Sequence, residues 1–351
     1  MLKNGRLALV AGAAVALGLL AWIVGSNYAE VRAAAAGLSW GWAGAALVCA
    51  LASHAMGGLA LSAVLTLLGH PLGAPIVLGI SLVSTTANYV VSTGGVSGFA
   101  LKAHLLHKRF VPIATTIVAS ALTSVILYAV LAAVLAQGLA SLAFRLQGSR
   151  VGLLEGVIGL CVLIIAAGGL IVLFLDGRLR GKAARRVFHW TNQAAFRLSS
   201  KEIPAESFMD FERQMAHGLA RIRREHGHLT LAVLFTCLDW GFAMIALWLC
   251  FKAVGDPLPL GPLSAIFAVA QGATLIPVLP GGLGAAEGSI AAVLVALGYD
   301  GGRALVAALL YRAAYYIAPS LLSVFVLWGL KVSEPTVLTE AAALAKELPR
   351  K

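Results

Sequence analysis

Charge is scarce in this chain. Only 12% of its residues are Asp, Glu, Lys or Arg, about half of what a soluble domain carries. Acids are scarcer still, 15 against 26 Lys and Arg, for a net charge of +11. That excess is the mark of cytoplasmic Lys and Arg in a membrane protein, so nucleic acid is not an expected partner. Cysteines number four, at 49, 161, 237 and 250, all in apolar runs and without a CxxC spacing. They read as small packing residues, and neither a disulfide framework nor a thiolate metal site is expected. No Walker motif is present, and no cofactor is expected.

What fills the chain instead is apolar sequence: 60% of 351 residues are hydrophobic, and mean hydropathy is +0.91. The expected fold is an all-α polytopic membrane protein forming a single transmembrane domain over 1–351. Full spans are expected at 7–25, 40–68, 111–136, 151–175, 229–251 and 304–330, each long enough to cross a bilayer. The first, behind Lys3 and Arg6, reads as an uncleaved span, since its apolar run is long for a signal peptide. The first half ends near 175. Residues 176–228 form the one long polar segment, with 11 Lys or Arg and 6 Asp or Glu. Phe208, Phe211, Met215, Leu219 and Ile222 recur there at spacings of three and four, an amphipathic stripe suited either to the anionic inner leaflet or to packing on the bundle. The second half is 229–351.

Two breaks interrupt the apolar pattern. Ile276-Pro277-Val278-Leu279-Pro280-Gly281-Gly282-Leu283-Gly284 is followed by the carboxylate Glu287. Prolines remove backbone donors and glycines add no packing, so a continuous helix is not expected there. Broken backbone at membrane depth is tolerated only inside protein or beside a wet cavity. A similar break, Thr93-Gly94-Gly95-Val96, follows the short apolar run 75–91. Charge decides how these segments lie. If 75–98 crossed fully, the eleven basic residues of 176–228 would fall outside, against the positive-inside rule. If it enters and returns on the inner side, and 262–297 does so on the outer side, twenty of the 26 basic residues are inside and five outside. The expected architecture is therefore six full spans plus two re-entrant broken-helix hairpins from opposite faces, related as an inverted repeat, with both termini cytoplasmic. A substrate site is expected where the hairpins meet.

Several ionisable residues stand near these breaks. Arg312 within the last span needs a partner, since a lone central Arg costs about 2.5–3.5 kcal/mol on insertion scales. Glu287 is the expected one and Asp239 the second. Such a group either holds a lipid phosphate or pins two helices. Lys102 either draws an anionic head group or sets topology with Lys108 and Arg109. Asp239 either relays protons, or balances Arg312, or sits at the interface beside Trp240. His104 and His107 share a helix face but have no third ligand nearby, so interfacial histidines are expected and no metal. His54 reads as a packed histidine bonded to backbone. Asn88 and Tyr89 either line the cavity or satisfy freed backbone groups.

Pro280-Gly281-Gly282-Leu283-Gly284 with Glu287, then Leu310-Tyr311-Arg312-Ala313-Ala314-Tyr315-Tyr316-Ile317-Ala318-Pro319, resembles the transmembrane region of lysylphosphatidylglycerol synthases. This is the flippase domain of the multiple peptide resistance factors, also found as stand-alone UPF0104-type proteins. Gly94-Gly95-Val96-Ser97-Gly98 followed by Lys102 is similar to the family's glycine-rich stretch with its basic residue. The resemblance implies a lipid flippase-like protein of the bacterial inner (cytoplasmic) membrane, with membrane lipids as partners: an anionic or aminoacylated phospholipid, or a hopanoid or isoprenoid-linked lipid. The implied transport residues are Gly94, Gly95, Gly98, Lys102, Asp239, Pro280, Gly281, Gly282, Gly284, Glu287, Tyr311 and Arg312. Two departures matter. No aminoacyl-transferase domain accompanies the chain, so an enzyme is not expected. Lys102 stands where the family often has Arg, which replaces a planar fork by a point charge.

Two other readings compete. An intramembrane lipid-modifying enzyme would use Glu287, Asp239 and a histidine as acid and base. An accessory subunit of a lipid-synthesis enzyme would dock its partner through 187–225. A homodimer is compatible with each.

Overall fold

The computed structural model of the chain describes residues 28, 32–33, 36–90, 96–145, 213, 226–259, 262–264, 266–267, 270–271, 290, 293–294 and 299–333. The expected spans 7–25 and 151–175, nearly all of the polar segment 176–228, and the glycine breaks at 94–95 and 276–288 lie outside the described residues. Among those described, the structure is helical and contains no strand.

Helices α1 (Trp40–Leu67) and α2 (Ala74–Val90) are joined by a tight turn. Gly69, at φ 85°, takes the left-handed position that closes α1. His70 N–H donates to Leu65 O and Gly69 N–H to Thr66 O, both over 2.9 Å, which covers the last carbonyls of the helix. Pro71 follows, and Pro75 sits in the first turn of α2, where no amide proton is needed. Helix α3 (Val96–His107) packs beside α2, and α4 (Ile113–Arg145) follows. Helix α5 (His226–Ala253) runs antiparallel along α1, in the most extensive helix pairing among the described residues. Its end repeats the α1 closure, with Gly255 at φ 82° and Asp256 N–H on Phe251 O at 3.0 Å.

The last span is one rod in three parts: α6 (Gly301–Arg312), a five-residue π-helical turn (Ala313–Ile317) and α7 (Ala318–Val332). Asp300 starts it, accepting from the N–H of Arg303 at 2.7 Å, a side-chain N-cap. The wide turn has a cause in the sequence. Pro319 has no N–H to give the carbonyl of Tyr315 four residues back, and that carbonyl is instead met by His54 Nε2 at 3.0 Å. A carbonyl only accepts, so Nε2 carries the proton. The sequence pattern predicts an unbroken helix here; proline chemistry explains the difference.

Four of these rods, 40–67, 113–134, 227–253 and 301–332, are long and apolar enough to cross a membrane. They match four of the six expected spans. Their outward faces are apolar, with Leu231, Leu234 and Leu238 of α5 and Leu321, Val324, Phe325 and Trp328 of α7 exposed, as lipid-facing surface requires. The molecule is a multi-pass membrane protein.

Buried apolar residues divide into two cores, one toward each end of the bundle. One joins Ala46 and Ala50 of α1 to Leu247, Cys250 and Phe251 of α5 and Ala304, Ala307 and Ala308 of α6. Leu263, Ile266 and Phe267, from the segment expected to form the second hairpin, belong to it. The other joins Leu61, Val64 and Leu65 of α1 to Val77 and Ile80 of α2, Leu105 and Leu106 of α3, and Leu330 of α7. Close approach is permitted by small residues: a Cβ on Gly58 would lie 2.7 Å from Leu78 Cδ2.

Both ends of the α2–α3 pair reach the same place. Gly79, near the start of α2, faces the side chains of Val326 and Leu330. Arg109, just past α3, is buried and donates to Leu330 O at 2.9 Å, Ser333 Oγ at 3.3 Å and Leu105 O at 3.1 Å. Its guanidinium therefore serves as a C-terminal cap for α7. At the far end, Ser97 and Gly98 bond Asn88, and the Tyr89 ring lies tilted against Tyr316 with centroids 4.5 Å apart.

Candidate site: a polar cavity at mid-depth

Between the two cores runs a band of polar side chains. Ser53 and His54 lie halfway along α1, Asp239 halfway along α5, and Tyr315 and Tyr316 near the middle of the 301–332 rod. Ser53 Oγ donates to Asp239 Oδ1. With that proton committed, the Tyr315 hydroxyl is the donor in its 3.1 Å contact with Ser53 Oγ. Three spans are thereby tied at their midpoints by a hydroxyl–hydroxyl–carboxylate chain. The other carboxylate oxygen packs against Gly57, where a Cβ would stand 3.0 Å from Oδ2. Glycine four residues after Ser53 thus makes room for the acid on the same face of α1.

Aromatic rings surround this chain. Tyr315 stacks on Tyr311 with centroids 5.2 Å apart, His54 lies 4.7 Å from Tyr315, and Tyr89 closes the group from α2. The π turn is what allows successive residues Tyr315 and Tyr316 both to face inward and both to be buried, a common use of such turns at functional sites. Trp240 meets Phe267 edge to face at 5.5 Å.

A cavity of about 800 Å³ opens beside this band. Its wall includes Asp239, Tyr315 and Tyr89 at mid-depth, Asn88 and Gly98 of the hairpin, and Lys102 of α3. Two wall residues, Ser120 and Trp240, keep a buried polar atom without a hydrogen-bond partner among the described residues.

The residues expected at the site are placed as follows. Asp239, Lys102 and Gly98 share the cavity wall. Gly98 is a close-packing position: its Cβ would fall 2.2 Å from Ser84 O and 2.5 Å from the Asn88 amide. Asn88 does both things expected of it, lining the cavity and accepting the freed N–H of Gly98 at 2.7 Å. Arg312 is buried, its guanidinium 4.6 Å over the Tyr316 ring. Tyr311 is buried in the aromatic group, off the cavity wall. Gly94, Gly95, Pro280, Gly281, Gly282, Gly284 and Glu287 lie outside the described residues, and with Glu287 the expected Arg312 pairing. His54 bonds backbone, as expected. His104 and His107 are exposed, and among the described residues no group of three His, Cys, Asp or Glu is arranged to hold a metal.

Sequence reasoning missed Ser53, Gly57 and the inward role of Tyr315 and Tyr316. A signal for the first two was present: an adjacent Ser–His pair at the centre of an apolar run, with glycine one turn on. The exposed face of α5 carries Cys237, while Cys250 is buried and Cys49 half-buried, all as free thiols. Toward the other end, Lys252 lies 3.6 Å over the Trp42 ring and 5.0 Å over Trp248, an arrangement typical of a membrane interface.

In sequence, the chain is similar to known membrane proteins. A UPF0104 membrane protein of Methanothermobacter thermautotrophicus is 36% identical over 83 residues, which is 24% of each chain; the match thus spans about a quarter of that relative's length. The family model described as the lysylphosphatidylglycerol synthase TM region matches residues 9–323. Covering most of the sequence, that match makes the chain a member of the lysylphosphatidylglycerol synthase transmembrane-region family.

Proposed function

We propose that this protein passes the polar head group of a membrane lipid between the leaflets of the bacterial inner membrane while the acyl chains stay in the bilayer. One observation carries the reading. A cavity with a carboxylate and a lysine on its wall lies at the midpoints of spanning helices, between two apolar cores. Ionisable groups at such depth mark a transport path far more often than they add stability.

The α2–α3 hairpin is read as re-entrant. Both of its feet meet the end of α7, at Leu330, and its tip meets Tyr316 near mid-depth. Six spans, a second hairpin at 262–297 and cytoplasmic termini complete the proposed topology, in which Arg109 faces the cytoplasm and Lys252 the outside. The lipid is then taken from the inner leaflet beside α3.

The test is head-group transfer in liposomes holding the purified protein, with a fluorescent phospholipid quenched from outside. Transfer faster than in protein-free liposomes is expected. No acceleration across anionic, zwitterionic and aminoacylated lipids would sink the reading. A change in lipid mass during the incubation would instead favour an intramembrane enzyme, and co-purification of a lipid-synthesis enzyme an accessory role.

A further inference from the structure

We infer that the cavity selects a net-neutral phospholipid head group, one ammonium plus one phosphodiester, with Asp239 receiving the ammonium and Lys102 the phosphate. The inference builds on the transport reading but concerns what the site binds.

Among the described residues neither wall charge is paired with an opposite charge. Asp239 is held by the neutral Ser53–Tyr315 chain and packed on Gly57. Arg312 is directed onto the Tyr316 ring. Lys102 is half-buried on the wall and has no hydrogen bond or ion pair among the described residues. Opposite charges withdrawn from water and left apart are costly, and a partner that meets both removes both penalties. A purely anionic head group would meet Lys102 but set a second negative charge before Asp239. A head group with two ammoniums and one phosphate would place surplus positive charge near Lys102. A single ammonium with a single phosphodiester cancels both.

Aromatic placement agrees. Tyr89, Tyr315 and Trp240 share the wall with Asp239, and ring faces beside a carboxylate suit an organic cation. The vertical order agrees as well. Lys102 is one helical turn, about 6 Å, beyond Gly98 toward the Arg109 foot, while Asp239 is at mid-depth. In a zwitterionic phospholipid the ammonium is terminal and the phosphodiester joins the glycerol. A head group entering from the foot side, ammonium first, meets the two residues in that sequence. A cavity of about 800 Å³ holds a head group of this size.

Native mass spectrometry of the delipidated full-length protein tests the inference, using phosphatidylethanolamine, phosphatidylglycerol and lysylphosphatidylglycerol with identical acyl chains. Wild type should retain phosphatidylethanolamine about tenfold better than either competitor, the worth of one added ion pairing. Asp239→Asn should bring phosphatidylethanolamine and phosphatidylglycerol to parity, and Asp239→Glu should restore the preference. Lys102→Gln should lower retention of both while their ratio persists. Equal or better retention of either competitor by wild type overturns the inference without recourse to any variant, as does a preference that survives Asp239→Asn. Liposome transfer separates the two readings. Equal transfer of all three lipids without binding preference removes only the selectivity, and preference without transfer removes only the transport.

Discussion

The N–H of Gly98 donates to Asn88 Oδ1 over 2.7 Å, so the first turn of α3 is capped from the opposite arm of its own hairpin. Ser97 Oγ bonds the same oxygen and Ala87 O, each at 3.3 Å. The two arms are therefore tied to each other by side-chain chemistry beside the cavity that Asn88 and Gly98 line.

Gly98→Ala should break this closure, because its Cβ would lie 2.2 Å from Ser84 O. Overpacking of this kind costs about 1–3 kcal/mol. Asn88→Ala, which removes only the cap, should cost about 1 kcal/mol. Thermal unfolding in detergent should rank the two in that order; equal stability of Gly98→Ala and wild type would contradict the packing.

Gly57→Ala should act on binding more than on stability. The added methyl meets a carboxylate oxygen at 3.0 Å, which forces the Asp239 side chain a few tenths of an ångström off its Ser53 bond. Lipid retention should fall while the melting temperature changes little. Unchanged retention would show that the position of Asp239 is not critical.

Arg109→Ala should destabilise the fold by about 2–4 kcal/mol, since it leaves the buried carbonyls of Leu105 and Leu330 without their charged donor. Arg109→Lys should recover only part of this, because one ammonium cannot span three acceptors with the reach of a planar fork. The measurement is the detergent melting temperature of the three proteins.

Tyr316→Leu should cost about 1–2 kcal/mol more than Tyr316→Phe, since only the former removes the ring face under Arg312. Thermal unfolding decides it. Equal effects of the two substitutions would shift the weight to the hydroxyl.

Much of this was legible in the residues. Uninterrupted apolar runs marked the spans at 40–67 and 227–253 to within a few positions, because length and hydropathy alone decide what crosses a bilayer. Asp239 stood out as a charge within an apolar run, and Lys102 as the first charge after a glycine break. Legibility failed where one element answers another. Nothing near Pro319 reveals that its unmet acceptor will be satisfied by His54, 265 positions away in sequence. Gly57 reads as a small helix residue until Asp239 is placed against it. The ring face of Tyr316, four residues on, is a contact of Arg312 that its sequence spacing did not suggest.

The Arg109 anchor also has a mechanical consequence. At its base the α2–α3 pair is tied to α7 by the guanidinium of Arg109, whereas near Tyr89 it meets the same rod through a tilted ring contact with Tyr316. A charged donor on a buried carbonyl is a stronger tie than one ring pair. Gating by this element would widen the deep end of the cavity while its base stays shut against α7.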